Sequence, residues 1–169
     1  IVSTSYSINK DNSLLNCRIE GLNNNKPDLI IIDRYLKIKK KLRLFNSTIR
    51  RKIYIFTLSN NKKKISFLKK KRIKILKLKK LEDKIDFENL FKVILKIGKG
   101  RVLIESGLVF LKQLFKYKFI NNLYLFKSSK FLYFNGYNNV NINFIKKLKI
   151  KNKINVNLEN DELYEIRIK

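Results

Sequence analysis

The sequence predicts an α/β protein with a mixed, mostly parallel central sheet flanked by helices. Three observations predict it. Residues 29–32 (LIII) form a continuous apolar run, the mark of a strand covered on both faces. Residues 86–96 (DFENLFKVILK) set Phe87, Leu90, Phe91, Ile94 and Leu95 at helical spacing behind an acidic first turn. Residues 101–115 (RVLIESGLVFLKQLF) carry a short apolar run at Val102, Leu103 and Ile104 through Glu105-Ser106-Gly107 into a second helical pattern at Leu108, Leu111, Leu114 and Phe115. Strands alternating with helices in this way assemble as βαβ units.

Taken in order, residues 1–3 read as the end of a strand. Residues 7–18 (SINKDNSLLNCR) read as a polar turn region, because Asp11, Asn12 and Ser13 bond readily to their own backbone. A loop over 21–26 leads to Pro27, which ends any helix ahead of the strand at 29–33. Residues 34–45 alternate at Leu36, Ile38, Leu42 and Leu44 and read as a loop with a short edge segment. Strand 52–58, turn 60–64, short helix 65–71 and strand 73–76 follow. Gly98-Lys99-Gly100 ends the 86–96 helix. Beyond the strand–turn–helix at 101–115, residues 122–126 are a strand and 131–140, aromatic and rich in Asn and Gly, a loop. Residues 141–150 and 154–158 are ambiguous strands, and 163–168 (LYEIRI) alternates and closes the sheet. With no repeat or boundary visible, residues 1–169 are expected to form one domain.

Composition narrows the function. Lys+Arg outnumber Asp+Glu by 40 to 13, a formal net charge of +27. Such a balance suits nucleic acid, an anionic membrane surface or a phosphorylated ligand. It also has a mundane source. Ala, His, Met and Trp are absent and Pro occurs once, while Lys, Asn, Ile, Phe and Tyr, all written with A/T-rich codons, abound. Lysines fall almost everywhere between apolar core positions, and the runs at residues 62–64 and 69–71 read as solvated faces. The single Cys17 rules out a disulfide framework and a cysteine zinc site, and the lack of histidine rules out His-based triads and His-ligated metals. No apolar run reaches the length of a membrane span and no secretory signal is visible, which points to the cytoplasm.

The 101–115 stretch is the candidate site. Ligands of open α/β sheets bind beside the carboxyl ends of strands, and a helix start favours phosphate. Here that place holds a carboxylate and a glycine. A structural turn with a solvated glutamate has the same pattern.

Four stretches, in order, resemble the reductase (C-terminal) domain of the bifunctional riboflavin-biosynthesis deaminase–reductase. They are SINKDNSLLNCRIEGL at residues 7–22, PDLIIIDRYLKI at 27–38, RVLIESGLVFLKQLF at 101–115 and NNLYLFK at 121–127. The resemblance implies a dihydrofolate-reductase-like fold whose first strand and helix lie upstream of Ile1. It implies NADPH-dependent reduction of the ribosyl side chain of 5-amino-6-(5-phosphoribosylamino)uracil, a homodimer, and a deaminase domain upstream in the full-length protein. By position, Ser7 (usually threonine in the family) and Asp11 would hold NADPH. Gly107, Leu108, Val109, Phe110, Leu111, Lys112 and Gln113 would form the turn and helix start that carry its phosphates. Leu15, Arg18 and Glu105 would bind substrate, Arg18 on its phosphate. The residue types suit these roles: an arginine fork matches a phosphate, and a glycine lets the backbone approach a pyrophosphate. The sequence departs from the family where Arg34 replaces a cofactor-contacting serine, Leu108 a proline, and Asn121-Asn122 two carboxylates. A basic nucleic-acid-binding protein of ribosomal type is the alternative; it would gather its lysines on one face with aromatics between them.

Overall fold

The computed structural model describes residues 1–16, 26–47, 51–130, 148, 150 and 152–168. These form two compact units, Ile1–Gly107 and Leu108–Lys169.

The first unit is built on a parallel sheet of β1 (Val2–Thr4), β2 (Leu29–Ile32), β3 (Ile53–Thr57) and β4 (Lys74–Lys77), lying side by side in chain order. Every residue of β2 and β3 is buried, as the unbroken apolar runs require of a sheet covered on both faces. β4 keeps only Ile75 and Leu76 half-covered and turns Lys74 and Lys77 to solvent, a charged edge that discourages further strand pairing. Leu29, Ile31, Ile53 and Ile55 form a core with Ile8, Leu36, Ile38, Leu42, Leu44, Phe45, Leu68 and Ile73. Burial of each such side chain is worth roughly 1.5–3 kcal/mol.

Helix α1 (Ser5–Asp11) occupies a stretch that reads as turn-forming. The Thr4 side chain caps it by accepting the Ser7 N–H, and Ile8, fully buried, anchors it to the core. The polar residues that suggest a turn sit on its exposed side and at its end, where Asn12 takes a left-handed conformation with φ 46°. The alternation at 36–44 is not an edge strand either. Its apolar residues, all buried, plug the core from a turn and a 3-10 segment, Arg43–Ser47. Asp33, 2% exposed, organises that turn: its carboxylate accepts the N–H groups of Lys37 at 2.7 Å and Ile38 at 2.8 Å.

Helices α2 (Lys62–Lys70) and α3 (Lys84–Lys96) start at Asn61 and Asp83, whose side chains accept the N–H three residues on. The lysine runs of α2 are exposed or half-exposed, the solvated faces that their spacing suggests. The apolar stripe of α3 is narrower than its pattern: Phe87, Leu90 and Ile94 are buried, but Leu95 is 63% exposed. Gly98, at φ 83°, ends α3 in the left-handed conformation that glycine adopts without strain.

In the second unit, α4 (Leu108–Lys116) is followed by β5 (Asn122–Lys127), β6 (Asn152–Ile154) and β7 (Glu162–Arg167). The three strands form an antiparallel sheet in the order β5-β7-β6. So β7 does not close the parallel sheet; it is the centre of a second one. Residues 155–158 carry no strand, whereas 152–154 do. The proposed loop at 131–140 and most of the ambiguous strand at 141–150 lie outside the described residues. Among the described residues, no helix is long and apolar enough to cross a membrane.

Candidate functional site

After β4 the chain returns through α3 to the far side of β1. There Ile104 forms a parallel bridge with Val2. The main-chain groups of Val2 serve this partner, its N–H donating to Leu103 O at 2.7 Å and its C=O accepting from Glu105 N at 2.9 Å. The C=O of Ile1 serves Ile30 instead, so the two neighbours occupy opposite edges of β1. A partly covered ion pair between Lys99 and Asp28, 2.7 Å, ties the returning chain to the start of β2. Burial pushes the Asp28 carboxyl up, but the Lys99 ammonium and the Lys52 N–H outweigh it and leave Asp28 below its ordinary value.

This topology makes a switch point. β2, β3 and β4 follow β1 on one side, and the 103–105 segment joins it on the other. Connections leave such a point in opposite directions, which opens a crevice at the carboxyl ends of the strands. All pairings here are parallel, so the carboxyl edge holds Thr4 and Ser7 after β1, Asp33 and Arg34 after β2, Thr57 and Ser59 after β3, and Glu105-Ser106-Gly107 after the bridge.

The structure brings Ser7 and Gly107 together across 100 positions of sequence: the Gly107 N–H donates to Ser7 Oγ at 3.2 Å. Ser7 Oγ also lies 3.1 Å from Thr4 Oγ1. Three small polar groups thus converge where β1 meets the glutamate–serine–glycine turn. Asp11 follows Ser7 by one helical turn on the same face of α1. A carboxylate at the C-terminal end of a helix opposes the helix dipole, so its place there is not explained by helix stability. Glu105 is exposed and its carboxylate makes no hydrogen bond or ion pair among the described residues. The run before it is less buried than a central strand: Leu103 is 53% exposed, and among the described residues the run forms a single bridge.

Leu15 lies in the segment after α1, at φ 48°. That left-handed conformation costs a residue with a Cβ about 1–2 kcal/mol. The end of α1 and this segment are fastened at several points. Asn9 donates to Lys37 O at 3.0 Å and accepts from Lys39 N at 2.8 Å, and Asn12 accepts from Arg43 N at 3.0 Å. The Arg51 guanidinium donates to Leu15 O at 2.8 Å and to Leu14 O. Arg18 lies outside the described residues.

Arg34, at the position of the family's serine, pairs with Glu82 at 3.4 Å and lies 5.4 Å from the Tyr35 ring centroid. Its C=O accepts from Leu58 N and from Thr57 Oγ1, stitching the ends of β2 and β3 together. Sequence reasoning passed over Thr4, Thr57 and Arg51. The threonines carry the weak signal of a hydroxyl residue at a strand's end. Arg51 carries none, since in so basic a chain Arg50-Arg51 looks like surface charge.

In the second unit, Leu108, Val109, Phe110 and Leu111 open α4. The first-turn N–H groups of a helix lack intrahelical partners, and no acidic side chain stands in the first turn of α4. Lys112 and Gln113 follow in the next turn. In the first unit, the hydroxyls of Thr4 and Ser7 and the glycine turn are groups of the kind that suit a nucleotide phosphate.

The RibD C-terminal domain profile matches residues 1–136. The chain belongs to the RibD C-terminal domain family. Solved structures agree on the fold. The chain is similar to a diaminohydroxyphosphoribosylaminopyrimidine deaminase/5-amino-6-(5-phosphoribosylamino)uracil reductase from Thermotoga maritima, with TM-score 0.70 and 19% identity over 98% of this chain and 44% of that one. It is similar to RibD of Acinetobacter baumannii, with TM-score 0.71 and 13% identity over 98% and 46%. It also resembles a pyrimidine reductase-like protein of Corynebacterium diphtheriae, with TM-score 0.70 and 12% identity over 98% and 74%. The chain therefore spans less than half the length of the two RibD proteins. No curated protein sequence matches it. The mixed α/β architecture is that of the dihydrofolate-reductase-like reductase domains of RibD, a family of riboflavin biosynthesis.

Proposed function

We propose that this RibD C-terminal domain reduces the ribosyl side chain of 5-amino-6-(5-phosphoribosylamino)uracil to the ribityl level, with NADPH as cofactor. One observation carries the reading. At the switch point of the parallel sheet, the Gly107 N–H is bonded to Ser7 Oγ, which holds a glycine turn against the end of β1 beside Glu105. Ser7 and Asp11 present a hydroxyl and a carboxylate on one face of α1 to hold the nucleotide. The turn at Gly107 and the helix start from Leu108 to Gln113 carry its phosphates. Glu105 accepts a hydrogen bond from a ribosyl hydroxyl or a ring N–H. Leu15 packs on the substrate and the Arg18 fork takes its phosphate. Bound NADPH supplies the hydride, so the protein need supply only position and electrostatics. The same reading makes the working protein a cytoplasmic homodimer with a deaminase domain upstream.

The test is substrate-dependent loss of NADPH absorbance with the purified chain, beside Glu105→Ala. A hydrogen bond to a charged group is worth about 1.5–3 kcal/mol, so the variant should lose roughly 10- to 150-fold in kcat/KM. NADPH binding in the variant should stay near wild type. If the chain binds NADPH no better than any polyanion, and salt abolishes both, the reading fails and nucleic acid takes its place.

A further inference from the structure

We propose that Arg51 is a positioning residue for the substrate: its buried guanidinium clamps the carbonyls of Leu14 and Leu15 and so sets where Leu15 is presented. The proposal rests on the reductase reading above and adds a residue to it.

Arg51 is 6% exposed. A buried guanidinium is costly unless charge and hydrogen bonds compensate it, and apolar residues often stabilise such a place better. No carboxylate of the described residues forms an ion pair with Arg51. Its partners are two successive main-chain carbonyls, 36 and 37 positions earlier in the chain. Nε is buried with no partner among the described residues. The charge of Asp28 offsets part of the burial of the guanidinium, and the order of the 14–15 backbone is what its hydrogen bonds provide.

That backbone needs ordering. Leu15 holds a left-handed φ of 48°, which a leucine does not adopt unaided. A planar fork reaching two adjacent carbonyls fixes the peptide between them, and with it the direction in which Leu15 leaves the chain. The clamp has a firm base. Arg51 precedes Lys52, whose N–H donates to Asp28 and whose C=O accepts from Leu29 N, and the fully buried Ile53 begins β3 next. The core's rigid register is thereby passed to a segment that lacks regular structure of its own.

Arg51→Lys keeps the charge but cannot fork across both carbonyls. The full chain and this variant are compared by kcat and KM for 5-amino-6-(5-phosphoribosylamino)uracil, by NADPH titration, by urea midpoint, and by amide exchange over residues 13–16. The variant should raise KM about tenfold, change kcat by less than about threefold and leave the NADPH Kd within about twofold, because it weakens binding of the substrate alone. Exchange over 13–16 should quicken while β2 and β3 stay protected. A folded Arg51→Lys with unchanged KM and exchange overturns the role and leaves the reductase reading standing. Parallel losses of substrate binding, NADPH binding and urea midpoint also overturn it, making Arg51 a general stability residue. A wild-type chain that neither binds NADPH nor oxidises it with substrate fails the reductase reading itself, and the assigned role falls with it.

Discussion

Ser7→Ala tests the switch point directly. Ser7 Oγ accepts the Gly107 N–H at 3.2 Å and lies 3.1 Å from Thr4 Oγ1. Both bonds are partly buried and neutral, each worth about 0.5–1.5 kcal/mol net, and an orphaned N–H adds desolvation cost when water cannot reach it. The first bond holds the turn against β1, and the second steadies the hydroxyl that receives it. Their joint loss should relax the turn by about 1.4 kcal/mol, which is a tenfold rise in the NADPH Kd. The fold should survive, because Thr4 Oγ1 still caps α1 through the Ser7 main-chain N–H and Ile8 still fills the core. Ser7→Thr keeps the oxygen and should bind within about twofold of wild type. The assay is an equilibrium fluorescence titration at high salt, with circular dichroism as the check on folding. A folded Ser7→Ala that binds NADPH as the wild type does would refute the reasoning. It would reduce the Ser7–Gly107 bond to a packing detail.

Asp33→Ala removes the acceptor of two main-chain N–H groups, that of Ile38 being buried. The loss should be about 3 kcal/mol, read as a lower urea midpoint at unchanged slope, and a loss under about 0.5 kcal/mol would contradict the geometry. Glu162 in the second unit is held down to about 2 by hydrogen bonds from the Lys153 ammonium, then the Tyr164 hydroxyl, then the Lys127 ammonium. A carboxyl lowered on folding stabilises above its unfolded value, near 4.5, and loses that contribution as pH falls toward 2. An acid titration of the β5–β7–β6 sheet should show this loss in wild type and not in Glu162→Gln.

Long apolar periodicities were legible in the sequence, and short polar segments were not. β2 and β3 have no polar residue to confuse the pattern before Thr57, and the stripe of α3 repeats over 13 residues. α1 spans only 7 residues and contributes one fully buried apolar side chain, so its turn-forming residues outweigh its helical signal. Leu36, Ile38, Leu42 and Leu44 alternate as an edge strand would, yet the Asp33 carboxylate bends the chain and sends them all inward. β7 alternates as expected, but alternation carries no information about which sheet a strand joins. The candidate site was legible only in halves. Glu105 and Gly107 announce a strand-to-helix turn by themselves, whereas the bond that gives the turn its place reaches back 100 positions.

The segment from Ser7 to Leu15 shows how topology can order a polar stretch. Its residues have little local reason to be rigid: a short helix, then a stretch with no regular structure. Apart from the Thr4 cap on Ser7, its anchors come from far along the chain. Asn9 is held by residues 37 and 39, Asn12 by Arg43, Leu14 and Leu15 by Arg51, and Ser7 by Gly107. Asparagine is abundant in the chain. Asn9 and Asn12 differ from the rest through position. The parallel sheet sets the turns after β2 and before β3 within reach of α1, and an amide there can bond main-chain groups that would otherwise be left to solvent. Topology explains why these asparagines anchor anything.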